Sequence, residues 1–347
     1  MINVVKILNT IRANGGADYQ ARIPVATAEN LKDIGKSLLE YDTQMNAFLD
    51  MLLNRIGMTL IKTATIQNPL AKLKTAGVPY GKGIQELYIN PSRGQTYTFD
   101  SQDLLKVVKA DVKVNYFNTQ RQDKYPVTIT AEMLQQAFTS PYAFEQFLNG
   151  IVMSLYSGDN YDEFLMMKNL IATAFVNKHV QIEEIYTEGD AVTARDEAII
   201  NNLVRAIRVN SKNFVIPSSK NNNYTPKEGE PKLITATPVE QQVLIIDSTM
   251  SAIMDTDKFA NAFNLNRAET KVDKIEVDDF MGQPILALLC DKSFFKVTDD
   301  LQKLKSFENG DNLSLKYWWH HWQTYGYSTL CNAKIFSYVP KSSSTGA

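Results

Sequence analysis

Histidine and cysteine are nearly missing from this 347-residue chain, which has 3 of the first and 2 of the second. Cys290 and Cys331 are too few for a disulfide scaffold or a cysteine-rich zinc site. They read most simply as buried thiols of a protein made and kept in a cytoplasm. Charge of one sign is missing as well. Lys plus Arg is 36 against 38 for Asp plus Glu, a formal net charge of −2. That balance gives no long-range field to draw in a duplex or an anionic membrane. No apolar run approaches the ~20 residues a membrane span needs; the stretch from Pro284 to Cys290 is among the longest. At the N-terminus Val4, Val5, Ile7, Leu8 and Ile11 fall at helical spacing, ended by Gly15 and Gly16, so a signal peptide is not expected.

What is present is ordinary globular material. Hydrophobic residues make up 44% and charged residues 21%, which excludes a disordered chain, a collagen and a coiled-coil rod. At ~150 residues per domain the length suggests about two domains.

Chemistry-bearing patterns are scarce. The nearest approach to a phosphate-binding loop is Gly77-Val-Pro-Tyr-Gly81-Lys82-Gly83, one residue short and with Gly83 where magnesium needs a hydroxyl. A hairpin entrance explains those glycines better. His320 and His321 lie in Tyr317-Trp318-Trp319-His320-His321-Trp322, and in a strand adjacent side chains point to opposite faces. They are expected to serve aromatic strand packing, with a pH-sensitive subunit contact as the sharper alternative. Asp278-Asp279 and Asp299-Asp300 do not converge as acid–base pairs and read as solvated turns. Neither cysteine has the basic surroundings of a reactive thiol. Lysines and arginines are scattered, with no basic run and no aromatic–basic interleaving. No catalytic residue, metal ligand or cofactor site is therefore expected.

The local pattern predicts an α+β protein. A helix is expected over 27–48, with Thr27 as N-cap and Asn30 where a capping box has Glu. A β-like stretch over 58–66 stops at Asn68-Pro69. Alternating segments at 84–89, 96–99 and 112–117, separated by glycine and proline, predict a long hairpin within 77–126. Residues 141–178 predict a helix of unusual length, opened by Pro141 and interrupted near Ser157-Gly158-Asp159. Beyond it the pattern gives a strand at 179–186, a helix at 193–209 and an exposed polar loop at 217–238. A buried strand at 243–248 ends at a helix N-cap. A helix at 257–263, strands at 274–277 and 284–289, and two closing strands at 313–325 and 329–339 complete the chain. The tail 341–347 is disordered by composition.

Several segments together resemble the major capsid protein of small short-tailed, picovirus-type (Podoviridae-like) phages that infect Gram-positive bacteria. They are Tyr19-Gln-Ala-Arg-Ile-Pro-Val-Ala-Thr-Ala28, Leu53-Asn-Arg-Ile-Gly57, Asn68-Pro-Leu-Ala-Lys-Leu-Lys74, and Pro79-Tyr-Gly-Lys-Gly-Ile-Gln-Glu-Leu-Tyr88. Later come residues 138–147 (FTSPYAFEQF), 259–267 (FANAFNLNR), and 317–323 followed by Asn332-Ala333. They stand in family order and reach from about residue 17 to 339.

The resemblance implies the Hong Kong 97-like capsid fold. It assigns 1–76 to an N-terminal arm with short helices and 77–126 to the extended hairpin called the E-loop. Residues 127–187 become a peripheral domain with the spine helix, 188–311 an axial domain, and 312–340 strands returning to the peripheral domain. Some family members carry an added immunoglobulin-like domain at the C-terminus; with no strands beyond these, this chain is expected to lack it. The implied function is a structural head protein that self-assembles, as hexamers and pentamers, into an icosahedral or elongated shell around double-stranded DNA. Contact with that DNA is expected to be weak and non-specific. A scaffolding protein and a portal are implied partners, no membrane is, and the implied location is the virion after assembly in the host bacterial cytoplasm. Candidate contacts between subunits are Tyr88, Arg93, Tyr97 and Phe99 on the hairpin and Tyr19, Arg22 and Ile23 on the arm. Some shells of this fold join a hairpin lysine to a neighbour's asparagine; Lys82 and Lys106 are available, but no acceptor is specified. Other readings are an encapsulin-like compartment and, in a different class, an enzyme with a hairpin lid.

Overall fold

A computed structural model describes residues 4–40, 45, 47–49, 51–52, 66–75, 83–94, 96, 107, 109–185, 197–255, 272–309 and 314–338. The first half holds α1 (Val4–Asn14), α2 (Ala17–Arg22), α3 (Leu31–Glu40), β1 (Ile84–Ile89), β2 (Val112–Phe117), β3 (Thr119–Thr130), α4 (Ala131–Ala137) and α5 (Pro141–Val152). A π-helical turn, Met153–Ser157, leads into α6 (Gly158–Val176), then β4 (Gln181–Ile185) and α7 (Glu197–Val215). The chain continues with β5 (Gln242–Asp247), α8 (Ser248–Asp255), β6 (Asp273–Val277), β7 (Ile285–Asp291), β8 (Thr298–Asn309), β9 (Ser314–Thr324) and β10 (Ala333–Tyr338). The expected strand at 58–66 and helix at 257–263 fall almost wholly outside the described residues, as does the 341–347 tail.

The chain forms two compact units, each drawn from three segments. The first takes residues 1–68, 121–163 and 301–323; the second takes 69–120, 164–300 and 324–347. The first crossing falls at the Asn68-Pro69 break that the sequence marks.

In the first unit, α1 buries Val4, Leu8 and Ile11. Its polar side chains tie down the segment that follows. Asn9 donates to the Ala26 carbonyl at 2.9 Å and accepts from the Ala26 N–H at 2.7 Å. Arg12 donates to the carbonyls of Ile23 and Gln20. Thr27 and Asn30 bond reciprocally, the Thr27 N–H to Asn30 Oδ1 and the Asn30 N–H to Thr27 Oγ1. Asparagine thus completes the capping box, and α3 begins at Leu31, four residues later than expected. The Ser140 hydroxyl caps α5 by accepting from the Ala143 N–H. The expected interruption of the long helix is the π turn, one turn earlier than the Ser-Gly-Asp sequence suggests. It is followed by Asp159, buried and facing the sheet β3-β9-β8. That sheet turns Tyr125, Val127, Ile129, Leu304, Tyr317 and Trp319 onto the unit's core.

The second unit is organised on a mixed five-stranded sheet, ordered β4-β10-β7-β5-β6. The outer pairs β4/β10 and β5/β6 are parallel, whereas β7 runs antiparallel to both β10 and β5. Strands β5 and β7 are buried nearly end to end, as strands covered on both faces must be. Met167, Ile171 and Ala174 of α6 cover one face. Ile199, Leu203, Ile207 and Phe214 of α7 cover the other. Asp247 ends β5 and caps α8, accepting from the N–H groups of Thr249 and Met250. The two closing strands enter different sheets, β9 beside β3 and β8, and β10 beside β4 and β7.

Two expectations are corrected. The 217–238 segment is not simply exposed. Asn222, Leu233, Thr235 and Thr237 are buried, because Asn222 donates to the Leu233 carbonyl and Thr235 donates to Asn332. One carboxylate pair is not a solvated turn either. Asp299 and Asp300 are half-buried at the start of β8, where Asp300 accepts from Thr119 and Thr324; Asp278 and Asp279 do lie exposed outside any strand, and there they pair with the buried Lys168 ammonium.

Candidate assembly surface

The hairpin β1–β2 pairs Ile84 with Phe117 through Ile89 with Val112. Strand alternation gives it two faces. Gln85, Leu87, Ile89, Val112, Val114 and Tyr116 share one; Ile84, Glu86, Tyr88, Lys113, Asn115 and Phe117 share the other. The burial runs against amphipathic habit. The face with the charges is turned inward and the more apolar face is turned outward. On it Leu87, Ile89, Val112, Val114 and Tyr116 are between 38% and 71% exposed.

Polar bonds hold the inner face. Glu86 accepts from Ser328 at 2.8 Å and pairs with Lys296 at 2.9 Å, with side chains only 13% and 11% exposed. The Tyr88 hydroxyl donates to the Ile234 carbonyl at 2.6 Å. Asn90 donates to the Lys232 carbonyl and accepts from the Ile234 N–H. Lys113 lies 3.0 Å from Glu230 and 3.1 Å from Asp111. The Tyr224 hydroxyl and the Lys113 ammonium hold the Glu230 carboxyl down at about 2. Two glycines permit the fit. Gly83 has φ +95° at the hairpin entrance, and at Gly326 a Cβ would strike the Phe117 ring.

The expected contact residues divide. Tyr88 lies on the inner face and spends its hydroxyl within its own subunit. Arg93 is exposed, and Tyr97 and Phe99 lie outside the described residues, as do Lys82 and Lys106. Tyr19 and Ile23 are buried in the first unit's core beside α1, while Arg22 is exposed. The outward row led by Leu87 was not singled out from sequence, although its alternation was visible there.

A second polar cluster lies inside the first unit. Asp159 accepts from the Trp319 indole at 2.8 Å and from Arg121 at 2.7 Å, and pairs with His321 at 2.7 Å. Burial alone would raise the Asp159 carboxyl. The hydrogen bonds from His321 and Trp319 and the Arg121 charge outweigh that and hold it below its ordinary value. Arg121 also donates to Tyr125 and Gln323. Each group's bonds go to its neighbours, which is the pattern of a structural network. His320 and His321 do face opposite ways, His321 buried and His320 half-buried. Both cysteines are free and buried, and burial pushes the Cys331 thiol up to about 12 and Cys290 well above its ordinary value. Such thiols are inert. Among the described residues, no helix is long and apolar enough to cross a membrane.

Comparison with known proteins gives a consistent result. The sequence model of a family described as Phi29-like phage major capsid protein matches residues 8–337. The major capsid protein of Bacillus phage PZA is 29% identical over 337 residues, spanning 95% of this chain and 72% of the relative. That of Streptococcus phage Cp-1 is 29% identical over 340 residues, spanning 92% and 90%. Among solved structures, a chain of the Staphylococcus phage Andhra capsid superposes with TM-score 0.65 at 14% identity, covering 81% of this chain and 87% of that one. A chain of the cyanophage P-SCSP1u capsid gives 0.50 at 12% identity, covering 78% and 87%. The structural likeness establishes the Hong Kong 97-like capsid fold.

Proposed function

The chain belongs to the Phi29-like phage major capsid protein family, and from that premise we propose how it builds a shell. The role itself is structural: a virion component that associates with its own copies, neither an enzyme nor an encapsulin-type compartment. Hexamers and pentamers are the units of assembly, formed through an axial domain at 188–311. The hairpin at 77–126 is the E-loop and 141–178 the spine helix of the peripheral domain. Assembly takes place in the host cytoplasm with a scaffolding protein and a portal, around double-stranded DNA that touches the wall weakly.

One observation carries the hairpin's part. A two-stranded hairpin that clasps its own unit through Glu86, Tyr88, Asn90 and Lys113 leaves Leu87, Ile89, Val112, Val114 and Tyr116 in water. A row of exposed aliphatic and aromatic side chains this continuous marks an interaction surface. In a closed shell each copy repeats the contact, so a weak pairwise interaction suffices. Arg93 lies beyond the end of the row and belongs to the same contact, and Tyr97 and Phe99, which follow it in sequence, are assigned to that contact with it. On the N-terminal segment Arg22 is the exposed member of the candidate set.

Deleting residues 84–115 is expected to leave a folded monomer that forms no shells, read by negative-stain microscopy beside circular dichroism. Closed shells from the deletion would overturn the hairpin's role.

A further inference from the structure

The three-stranded sheet of the first unit has a second surface, turned away from the core. Contacts identify its two faces. Leu304 packs on the core that holds Tyr317 and Trp319, Gln302 meets His321 at 3.1 Å, and Arg121 bonds Gln323. Phe307 instead meets Trp318, ring centres 6.5 Å apart. Alternation therefore sets Trp318, His320 and Trp322 in one outward row along β9, the central strand. Lys316 continues that row. Lys303 and Lys305 flank it on β8, and Lys124 flanks it on β3.

Four lysines and a histidine thus share one face about 10 Å wide, the span of three strands. Lys124, Lys303 and Lys305 are exposed and Lys316 is half-buried. None of the four has a hydrogen-bond or ion-pair partner among the described residues. No carboxylate occupies an outward position of β3, of β9, or of β8 from Leu301 to Phe307. By contrast the mostly helical stretch from Ala131 to Met167 holds five acids and no base. A net charge of −2 for the whole chain conceals a local basic patch.

The composition of the face selects its partner. Lysine is depleted from the cores of protein–protein interfaces but is a common point-charge binder of phosphate. Half-buried indoles add apolar plates with an N–H donor at the edge, and side-chain donors of this kind contact the backbone of nucleic acids. We propose that the outward face of the β3-β9-β8 sheet is a contact surface for the phosphate backbone of duplex DNA. It rests on the reading of the chain as a DNA-enclosing wall, and it puts this sheet face on the shell's inner side. Recognition is of backbone only, because the face is flat and offers no element to enter a groove. Binding is therefore independent of sequence and falls steeply with salt, which lets packaged DNA slide along the wall.

The chain carries its own reporter, since its 3 tryptophans are Trp318, Trp319 and Trp322. Full-length protein is titrated with a duplex of about 30 base pairs from about 50 to about 200 mM salt, reading tryptophan emission and affinity together. Four neutralised phosphates at ~0.9 each predict a log–log salt slope of about −3 to −4, about a hundredfold loss across that range. Lys303→Gln alone is expected to reduce the slope by about one, and K124Q/K303Q/K305Q/K316Q to remove most of it while shells still form. An unchanged slope in the fourfold variant, or duplex binding that leaves the emission unmoved, overturns the proposal. Polyglutamate that moves the emission as strongly as duplex overturns it in favour of an acidic protein partner. A fourfold variant that stops assembling yet still binds duplex overturns it in favour of a subunit contact. If the unmodified chain forms no shells, the wall reading fails, and the titration still decides whether this face binds duplex.

Discussion

The hairpin and the N-terminal segment were both expected to reach other subunits, and they invest their residues in opposite ways. The N-terminal segment turns Tyr19 and Ile23 into its own core and fastens its backbone with Asn9 and Arg12. The hairpin turns its charges inward and leaves Leu87, Ile89 and Tyr116 outward. Position on an extended segment therefore does not make a residue a contact; what matters is whether the subunit has already satisfied it. Tyr88 and Leu87 are neighbours in sequence, yet only Leu87 is left for a partner.

Breaking that contrast at the hairpin carries the largest effect. Leu87→Asp with Val114→Asp puts two facing charges on the outward row, a cross-strand pair in register. Shell formation is expected to be lost, with a melting temperature close to that of the unmodified subunit. A large fall in melting temperature would mean that the row is core rather than contact. The mirror experiment is Ile23→Ala, which removes buried aliphatic volume from the first unit. It is expected to cost about 2–5 kcal/mol of subunit stability, as core truncations do, measured by denaturant unfolding. A variant of normal stability that fails to assemble would make the N-terminal segment a contact after all. Thr27→Ala removes half of the Thr27–Asn30 box and is expected to cost about 1 kcal/mol, read in the same way.

The smallest expected effect sharpens the hairpin's side alone. Glu230 is held at about 2 against an ordinary 4.5. A depressed carboxyl contributes stability that is complete above the ordinary value and is lost as pH falls through the folded one. Amide exchange in residues 84–117 is therefore expected to quicken as pH drops from about 4.5 towards 2, beyond the intrinsic pH dependence. Glu230→Gln should flatten that response. Identical profiles for the two proteins would show that the Lys113–Glu230 pair does not hold the hairpin.

Much of this fold is legible because its strands are strongly patterned. β5 and β7 are continuous apolar runs, β1 and β2 alternate, and β9 is dense in aromatic residues. β8 is not legible. Its apolar residues Leu301, Leu304 and Phe307 fall three apart, a helical spacing, and polar or charged residues fill the rest. The 217–238 segment looks solvated by composition, because asparagine and threonine are usually exposed; here they replace missing backbone bonds. Arg121 sits in the polar run Gln120-Arg121-Gln122-Asp123, and nothing local says that Asp159 and Gln323 will surround it.

The assembly surface was half legible. Alternation on β1 gives Ile84, Glu86 and Tyr88 on one face and Gln85, Leu87 and Ile89 on the other, two apolar residues of three each. Which face turns outward depends on Lys296, Ser328 and the Ile234 carbonyl, more than 140 positions away. The basic sheet face was invisible for the same reason, since Lys124, Lys303, Lys305 and Lys316 come from three separate strands.

Copies of the chain are expected to meet on the outward row of the hairpin and not on its inner face. A photo-crosslinking amino acid placed at position 87 in one sample and at 88 in another, irradiated in assembled shells, tests it most directly. A covalent dimer on denaturing electrophoresis is expected from position 87 and only intramolecular products from 88. A dimer from 88 with none from 87 would contradict it.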